Sequence, residues 1–397
     1  MDYDDVDRVI ERVLPNGVTT NYIYDELDQV VSLVHQDSAG FVLSSVVYER
    51  NPGGEPNKIT REDGSYVELK YDEALRLEEE IYYNSTGSVE ERILYAYDAD
   101  GKRIWKQTDS EALTYSYDPG YQLVSVLGGD QVEAYRFDIN GRVEEITREG
   151  STLPLDHDSY DRLVEAGSVS YLYNGMNQRV KSTGIVERNF LVAPTMGSGL
   201  ESVHQIVNGS GKVTTEYIYA GITPLLRLEN CGTVYYLTDA MGSVIGLVDE
   251  NGQKVADFSY DGFGNFRSGA GLGIPAEVVG DFRFHGQWFE QNTGLYHLRA
   301  RDYDPISGRF LSRDPVEMIQ EIPESLDPYQ FVYNNPEINS DPSGLFTLIQ
   351  LNSSKAVNNI LSGIPRYAKQ EALDYAKEKL GEGMGELLFS VFDKFCQ

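Results

Sequence analysis

Apolar and polar positions alternate with period two along the first half of the chain, and the alternation peaks at paired aromatics. The segments YIYD (Tyr22 to Asp25), YAYD (Tyr95 to Asp98), YSYD (Tyr115 to Asp118) and YRFD (Tyr135 to Asp138) recur, with single YE or YD steps at Tyr48, Tyr71 and Tyr160. In Y-x-Y both rings point to one face of a strand, because side chains alternate. The Asp that follows, with Gly-Lys or Gly-Arg shortly after (DADGKR at 98–103, DINGRV at 138–143), is turn chemistry: Asp bonds back to the backbone and Gly takes positive φ. Each unit therefore reads strand, turn, strand.

Aligning the last aromatics of these segments gives steps of 24, 23, 26, 20, 20 and 23 residues. YLYN (Tyr171 to Asn174), YIYA (Tyr217 to Ala220) and YDGFG (Tyr260 to Gly264) continue the series less regularly. A short two-stranded unit cannot bury its aromatic face alone, so units stack edge to edge into one sheet. A long sheet must coil to hide its edges. The expected fold class is all-β, a spiral β-hairpin repeat sheet forming a shell. A set of independent meanders or a propeller is the competing expectation, although propeller blades need about 40 residues each.

Charge narrows the partners. The 397 residues include 63 acidic and 33 basic side chains, a formal charge of −30. Such a body repels phosphate backbones, so no nucleic acid is expected to bind it. Residues 346–397 hold six basic and six acidic groups, so the whole excess lies in residues 1–345. Only Cys231 and Cys396 are present, which cannot build a disulfide framework and fits synthesis in a reducing compartment. The acidic N-terminus lacks the pattern of a classical signal peptide, and no run is apolar enough for a transmembrane segment. The expected localisation is cytoplasmic when made, with a specialised secretion system as the route out. His35, His157, His204, His285 and His297 show no metal spacing, and no Gly-rich phosphate loop occurs in its strand-to-helix context. No cofactor and no metal are expected.

These motifs resemble the YD-repeat, or RHS-repeat, family over nearly all of residues 1–345. The diffuse part is the Y-x-Y-D-x-x-G-R repeat; the specific part begins near 235. YYLTDAMGSVIGLVDENGQKVADFSYDGFGN (235–265) looks like the segment preceding the RHS repeat-associated core. FRFHGQWFEQNTGLYHLRARDYDPISGRFLSRDP (282–315) is similar to the core itself, and DPYQFVYNNPEINSDPSGL (327–345) to its end. The resemblance implies a shell of spiralling hairpins plugged by the core, as in polymorphic toxins and the C component of insecticidal toxin complexes. The organisation it suggests is a YD-repeat shell at 1–190, further repeats at 191–281, the core at 282–345 and a variable segment at 346–397.

The resemblance also implies self-cleavage by two aspartates, mapped here to Asp314 and Asp341, with the cut between Leu345 and Phe346. Two carboxylates held close tend not to ionise together, so one serves as acid and the other as base. The chemistry would be a single-turnover aspartyl self-cleaving protease, and no metabolic activity is expected. Arg309 and Arg313 are candidates to hold a carboxylate or polarise the scissile carbonyl, and Asp327 is a third carboxylate. Asp-Pro is also common in turns. Glu317 stands where the family places Gly, and the 27-residue step from Asp314 to Asp341 is longer than usual.

In residues 346–397 the turn chemistry stops. Pro365 fits a first helical position, Leu373, Ala376 and Leu380 share a face, and Leu387, Leu388, Val391, Phe392 and Phe395 form a second one. Two short helices are expected, serving as cargo, as a cap, as a docking segment or as a membrane-active element. The expected partners are this segment, a secretion or toxin-complex component and an immunity protein. The rival class is a non-enzymatic structural or binding module that has the fold and does not cleave. Fewer than ten clear units begin almost at Met1, which predicts an incomplete shell or one completed by another protein.

Overall fold

A computed structural model describes residues 1–6, 8–129, 131–184, 186–195, 200–230, 232–267, 282–315, 326–345 and 348–349. Its main feature is a 25-stranded antiparallel sheet running from Asp2–Tyr3 to Lys254–Asp257, in which the strands pair in chain order. Among the described residues no pairing joins the first strand to the last, so the shell is not closed. The strand Glu187–Pro194 crosses residue 190 without a break, so the wall is continuous there.

The recurring turn explains the recurring strand. Asp98 accepts from the N–H of Asp100 at 3.0 Å and of Lys102 at 2.9 Å, and Gly101 takes φ +85°. The same Asp or Asn cap recurs at Asp25, Asp72, Asp118, Asp138, Asp158 and Asn174. An Arg four residues after the capping Asp stitches neighbouring turns: Arg76 donates to the carbonyl of Asp98 and Arg142 to that of Asp158. Register shifts fall at the last aromatic of many units, at Tyr24, Tyr71, Tyr117, Phe137 and Tyr173. A bulge bends its strand and raises the local twist, so a bulge once per repeat curls the strip.

The two rings of Y-x-Y divide their work. The first ring, as in Tyr95, Tyr115, Tyr135, Tyr171 and Tyr217, is buried on the concave face. The second, like the single Tyr71, donates its hydroxyl across the seam to an earlier strand: Tyr24 to Val9 O, Tyr71 to Pro56 O, Tyr97 to Leu77 O and Tyr117 to Arg103 O, at 2.7–2.8 Å. Curling brings the two ends of the strip together. Leu14, Val18, Val46 and Tyr48 pack with Leu226, Tyr235, Leu237, Ile245 and Val248.

The described residues 282–315 and 326–345 pack against the buried face of the strip. They form a four-stranded sheet (Trp288–Glu290, Leu295–Leu298, Arg301–Asp304, Arg309–Phe310) and single 3-10 turns at Phe284–Gly286 and Val332–Asn334. The segment docks on the rim of repeat turns, where Tyr329 donates to Gly141 O at 2.7 Å, Asn334 to Gly101 O at 2.7 Å and Arg309 to Tyr121 O at 2.8 Å. Several carboxylates lie inside: Glu80, Asp302, Asp304 and Asp327 are buried. Asp302 lies 2.9 Å from Arg179, Asp304 pairs with Arg148 and Asp327 lies 2.7 Å from Arg309, so each of these three is compensated. Residues 350–397, with the expected helices, lie outside the described residues. Leu348–Ile349, within the C-terminal segment, pair as a strand with Asn339–Ser340.

Candidate active site

Asp314 and Asp341 are brought to one guanidinium. Arg301, at the start of the strand Arg301–Asp304, places Nη2 2.8 Å from Asp314 Oδ2 and 3.4 Å from Asp341 Oδ2. The two carboxylate oxygens are therefore no further apart than those two reaches together allow. Arg301 is itself locked. Its Nη1 donates to Pro328 O at 3.3 Å, its Nε donates to Gly344 O, and its guanidinium carbon lies 3.6 Å from the centre of the Phe310 ring. A guanidinium held on several acceptors and an aromatic face loses little further freedom when it orients a carboxylate. Asp314 is anchored from its backbone, with its N–H on Pro328 O at 2.8 Å.

The Asp-Pro-Ser-Gly-Leu turn presents the chain to this pair. Asp341 Oδ1 accepts from the N–H of Leu345 at 3.1 Å and from the hydroxyl of Ser343 at 3.1 Å. Gly344, φ +71°, lies so close to the strand before Arg301 that a Cβ there would sit 2.2 Å from Leu298 O. Only glycine fits. Leu345 is buried, and Ala300 donates to Ser343 O at 3.1 Å, so the turn is seated on the core sheet. The downstream chain then returns as the strand Leu348–Ile349 against Asn339–Ser340. Asp341 and Leu345 thus lie in the connection between these two paired strands. Asp341 is buried, whereas the Asp314 side chain keeps 22% exposure, which leaves one carboxylate of the pair toward solvent.

The other candidates lie elsewhere. Arg309 is committed to Asp327 through two bonds of 2.7 and 2.8 Å, and Asp327 also caps the Tyr329 N–H at 3.0 Å. This buried pair anchors the core to the wall; it does not join Asp314 and Asp341. Arg313 is exposed, and its stem packs where a Cβ on Gly141 would fall, at 2.9 Å. Glu317 and Phe346 lie outside the described residues. Arg301 was missed from the sequence, where it is one of several arginines in HLRARDYDPISGRFLSR; only its position at a strand start facing Phe310 distinguishes it. Among the described residues no cluster of His, Cys, Asp or Glu could hold a metal ion, and no helix is long and apolar enough to cross a membrane.

A curled strip of Y-x-Y-D repeats, docked through its turns onto an irregular C-terminal core, defines a YD-type shell. The chain belongs to the family described as Teneurin YD-shell, whose model matches residues 58–176 and 200–337, and the RHS Repeat model matches residues 3–40. It is 28% identical to the tRNA3(Ser)-specific nuclease WapA of Bacillus spizizenii over 366 residues, which cover 89% of this chain and 15% of that protein. It is 25% identical to human Teneurin-4 over 92% of this chain and 14% of that one. The crystal structure of TcdB2-TccC3 aligns with 87% of this chain and 24% of that chain, at 17% identity and a TM-score of 0.42. The chain spans about 15% of the length of these curated relatives.

Proposed function

We propose that this chain is a shell protein of the toxin-associated kind that holds its C-terminal segment and frees it by one cut after Leu345. The observation that carries this reading is the shared guanidinium: Arg301 ties Asp314 to Asp341, while Asp341 accepts the N–H of Leu345 itself. In the reaction, water adds to the Leu345 carbonyl carbon. One aspartate takes the water proton and the other gives a proton to the leaving nitrogen of Phe346, so the products are a Leu345 carboxylate and a new amine. Holding the bond in the same chain supplies proximity, and one turnover suffices. Arg301 on the adjacent Gly344 carbonyl adds positive charge beside the developing oxyanion. Delivery of the freed segment to another cell, with a secretion or toxin-complex partner, fits the relatives named WapA and TcdB2-TccC3.

The test is the mass of the full chain under denaturing conditions, since a cut segment stays bound in a native preparation. The expected result is a species ending at Leu345 in the wild type and intact chains in Asp314→Asn, Asp341→Asn and Arg301→Gln. An intact wild type would overturn cleavage and leave the non-enzymatic module as the reading.

A further inference from the structure

We propose that Ser343 is a positioning residue for Asp341 in this cut, an inference that rests on the cleavage reading above. Ser343 does more than complete a turn. Its hydroxyl donates to Asp341 Oδ1 at 3.1 Å, and the same oxygen accepts the Leu345 N–H at 3.1 Å, an N–H that also reaches Asp341 Oδ1 at 3.1 Å. Aspartate, serine and the residue that donates the scissile carbonyl thus form a closed three-membered network.

The network divides the work of the Asp341 oxygens. Oδ1 is held by Ser343 and Leu345, and Oδ2 is thereby turned toward Arg301, which also carries Asp314. The outer torsion of an aspartate is broad and roughly two-fold, so a carboxylate held through one oxygen by one N–H still swings. The second donor on Oδ1 fixes the plane. A hydroxyl on a carboxylate also favours its ionised form, so Ser343 tunes the group as well as aiming it. The position tolerates this role because the Ser343 backbone is pinned separately, through its carbonyl on the Ala300 N–H at 3.1 Å. The turn therefore has an anchor that does not depend on the hydroxyl, and loss of that hydroxyl need not unseat it.

The test uses the full chain, pulse-labelled in a cell-free translation reaction, chased at a series of pH values and quenched in denaturant. Ser343→Ala is expected to cut about tenfold slower, the loss of one hydrogen bond to a charged group. One limb of its pH–rate profile should move to higher pH, because the carboxylate has lost a donor. Ser343→Thr, which keeps the hydroxyl, should restore both. Equal rates and profiles for wild type and Ser343→Ala overturn the inference and leave the cleavage reading standing. A slow Ser343→Ala with an unmoved profile and no rescue by threonine assigns the residue to turn formation alone and overturns it as well. A wild type that never cuts overturns both together.

Discussion

In the wall, the hydrogen bonds that close each turn come from two to four residues away, as when Asp98 accepts from Asp100 and Lys102. In the core segment the partners are remote: Tyr329 reaches Gly141 across 188 positions and Asn334 reaches Gly101 across 233. The wall satisfies its backbone locally, while the core is shaped by contact with a surface that must already exist. Left-handed backbone shows the same divide. In the wall it is mostly glycine at turn positions, but in the core His285, Arg299, Val332, Tyr333 and Asn334 all adopt positive φ. Non-glycine residues hold that conformation only where surrounding contacts over-determine it. The wall should therefore behave as a sum of neighbours, and the core as one unit that depends on the wall.

The sharpest way to break the comparison is to remove one core anchor. Asp327→Ala leaves Arg309 buried between Tyr117 and Tyr329 with its carboxylate gone. Loss of one partner of a buried pair costs about 3–5 kcal/mol. The expected outcome is a large drop in urea midpoint, with limited proteolysis cutting residues 282–345 while the wall persists. If wall and core unfold together in both proteins, the two regions are one cooperative unit and the contrast fails.

A pH titration separates buried acids that have cations from those that lack them. Burial and neighbouring Asp261 push the Glu80 carboxyl up to about 7, although Tyr82, Tyr95 and the Gly262 N–H all donate to it. A raised acid binds its proton more tightly folded than unfolded. Its contribution is full below the ordinary glutamate range and is lost as pH rises through about 7. Asp302 is the opposite case: burial raises it, but Arg179 and His297 hold it down to about 2. Its contribution is present above the ordinary aspartate range and lost as pH falls toward 2. Glu80→Gln should flatten the neutral limb of a melting-temperature profile and leave the acid limb, and Asp302→Asn should do the reverse. An unchanged neutral limb in Glu80→Gln would assign that limb to another group, with Glu337, pushed up to about 8 by burial, next in line.

The same contrast decides how much the sequence reveals. Y-x-Y-D-x-x-G-R announces strand, turn and spacing because each of its parts acts within a few residues, so the spiral sheet follows from local chemistry. The bulge at the second aromatic is not visible, because it depends on the register of two strands. Asp314 and Asp341 were named only through resemblance, since each looks locally like an ordinary Asp-Pro turn. Arg309 was legible as a candidate to hold a carboxylate, but which carboxylate it holds, Asp327, is decided by the fold. Arg301, thirteen residues before Asp314, had no local mark at all.

Within the wall, the seam hydroxyls give a smaller, repeatable effect. Tyr97→Phe removes the bond to Leu77 O, 2.7 Å in length, and leaves that carbonyl one donor short. About 1 kcal/mol is expected from chemical denaturation. Tyr71→Phe and Tyr117→Phe, which break equivalent bonds to Pro56 O and Arg103 O, should each cost a similar amount. Widely different costs would mean that the repeats are not equivalent.

The smallest expected effect is also the most exact test of a wall built from neighbours. Arg76 pairs with Asp72 and reaches the carbonyl of Asp98, and Arg142 pairs with Asp138 and reaches that of Asp158. These are rim contacts, and pairs of this kind contribute up to about 1 kcal/mol each, reduced by salt. The two turns are separated by several strands and share no direct partner, so Arg76→Gln and Arg142→Gln should add in the double variant to within about 0.5 kcal/mol. One route could couple them. The core touches both turns, with Asn335 donating to Leu75 O and Tyr329 to Gly141 O, so a shift in one turn can reach the other through residues 329–335. Additivity in the double variant keeps the wall as a chain of local units with the core docked upon it. A coupling above about 0.5 kcal/mol, abolished when Tyr329→Phe is added, would make the core the element that ties the rim together.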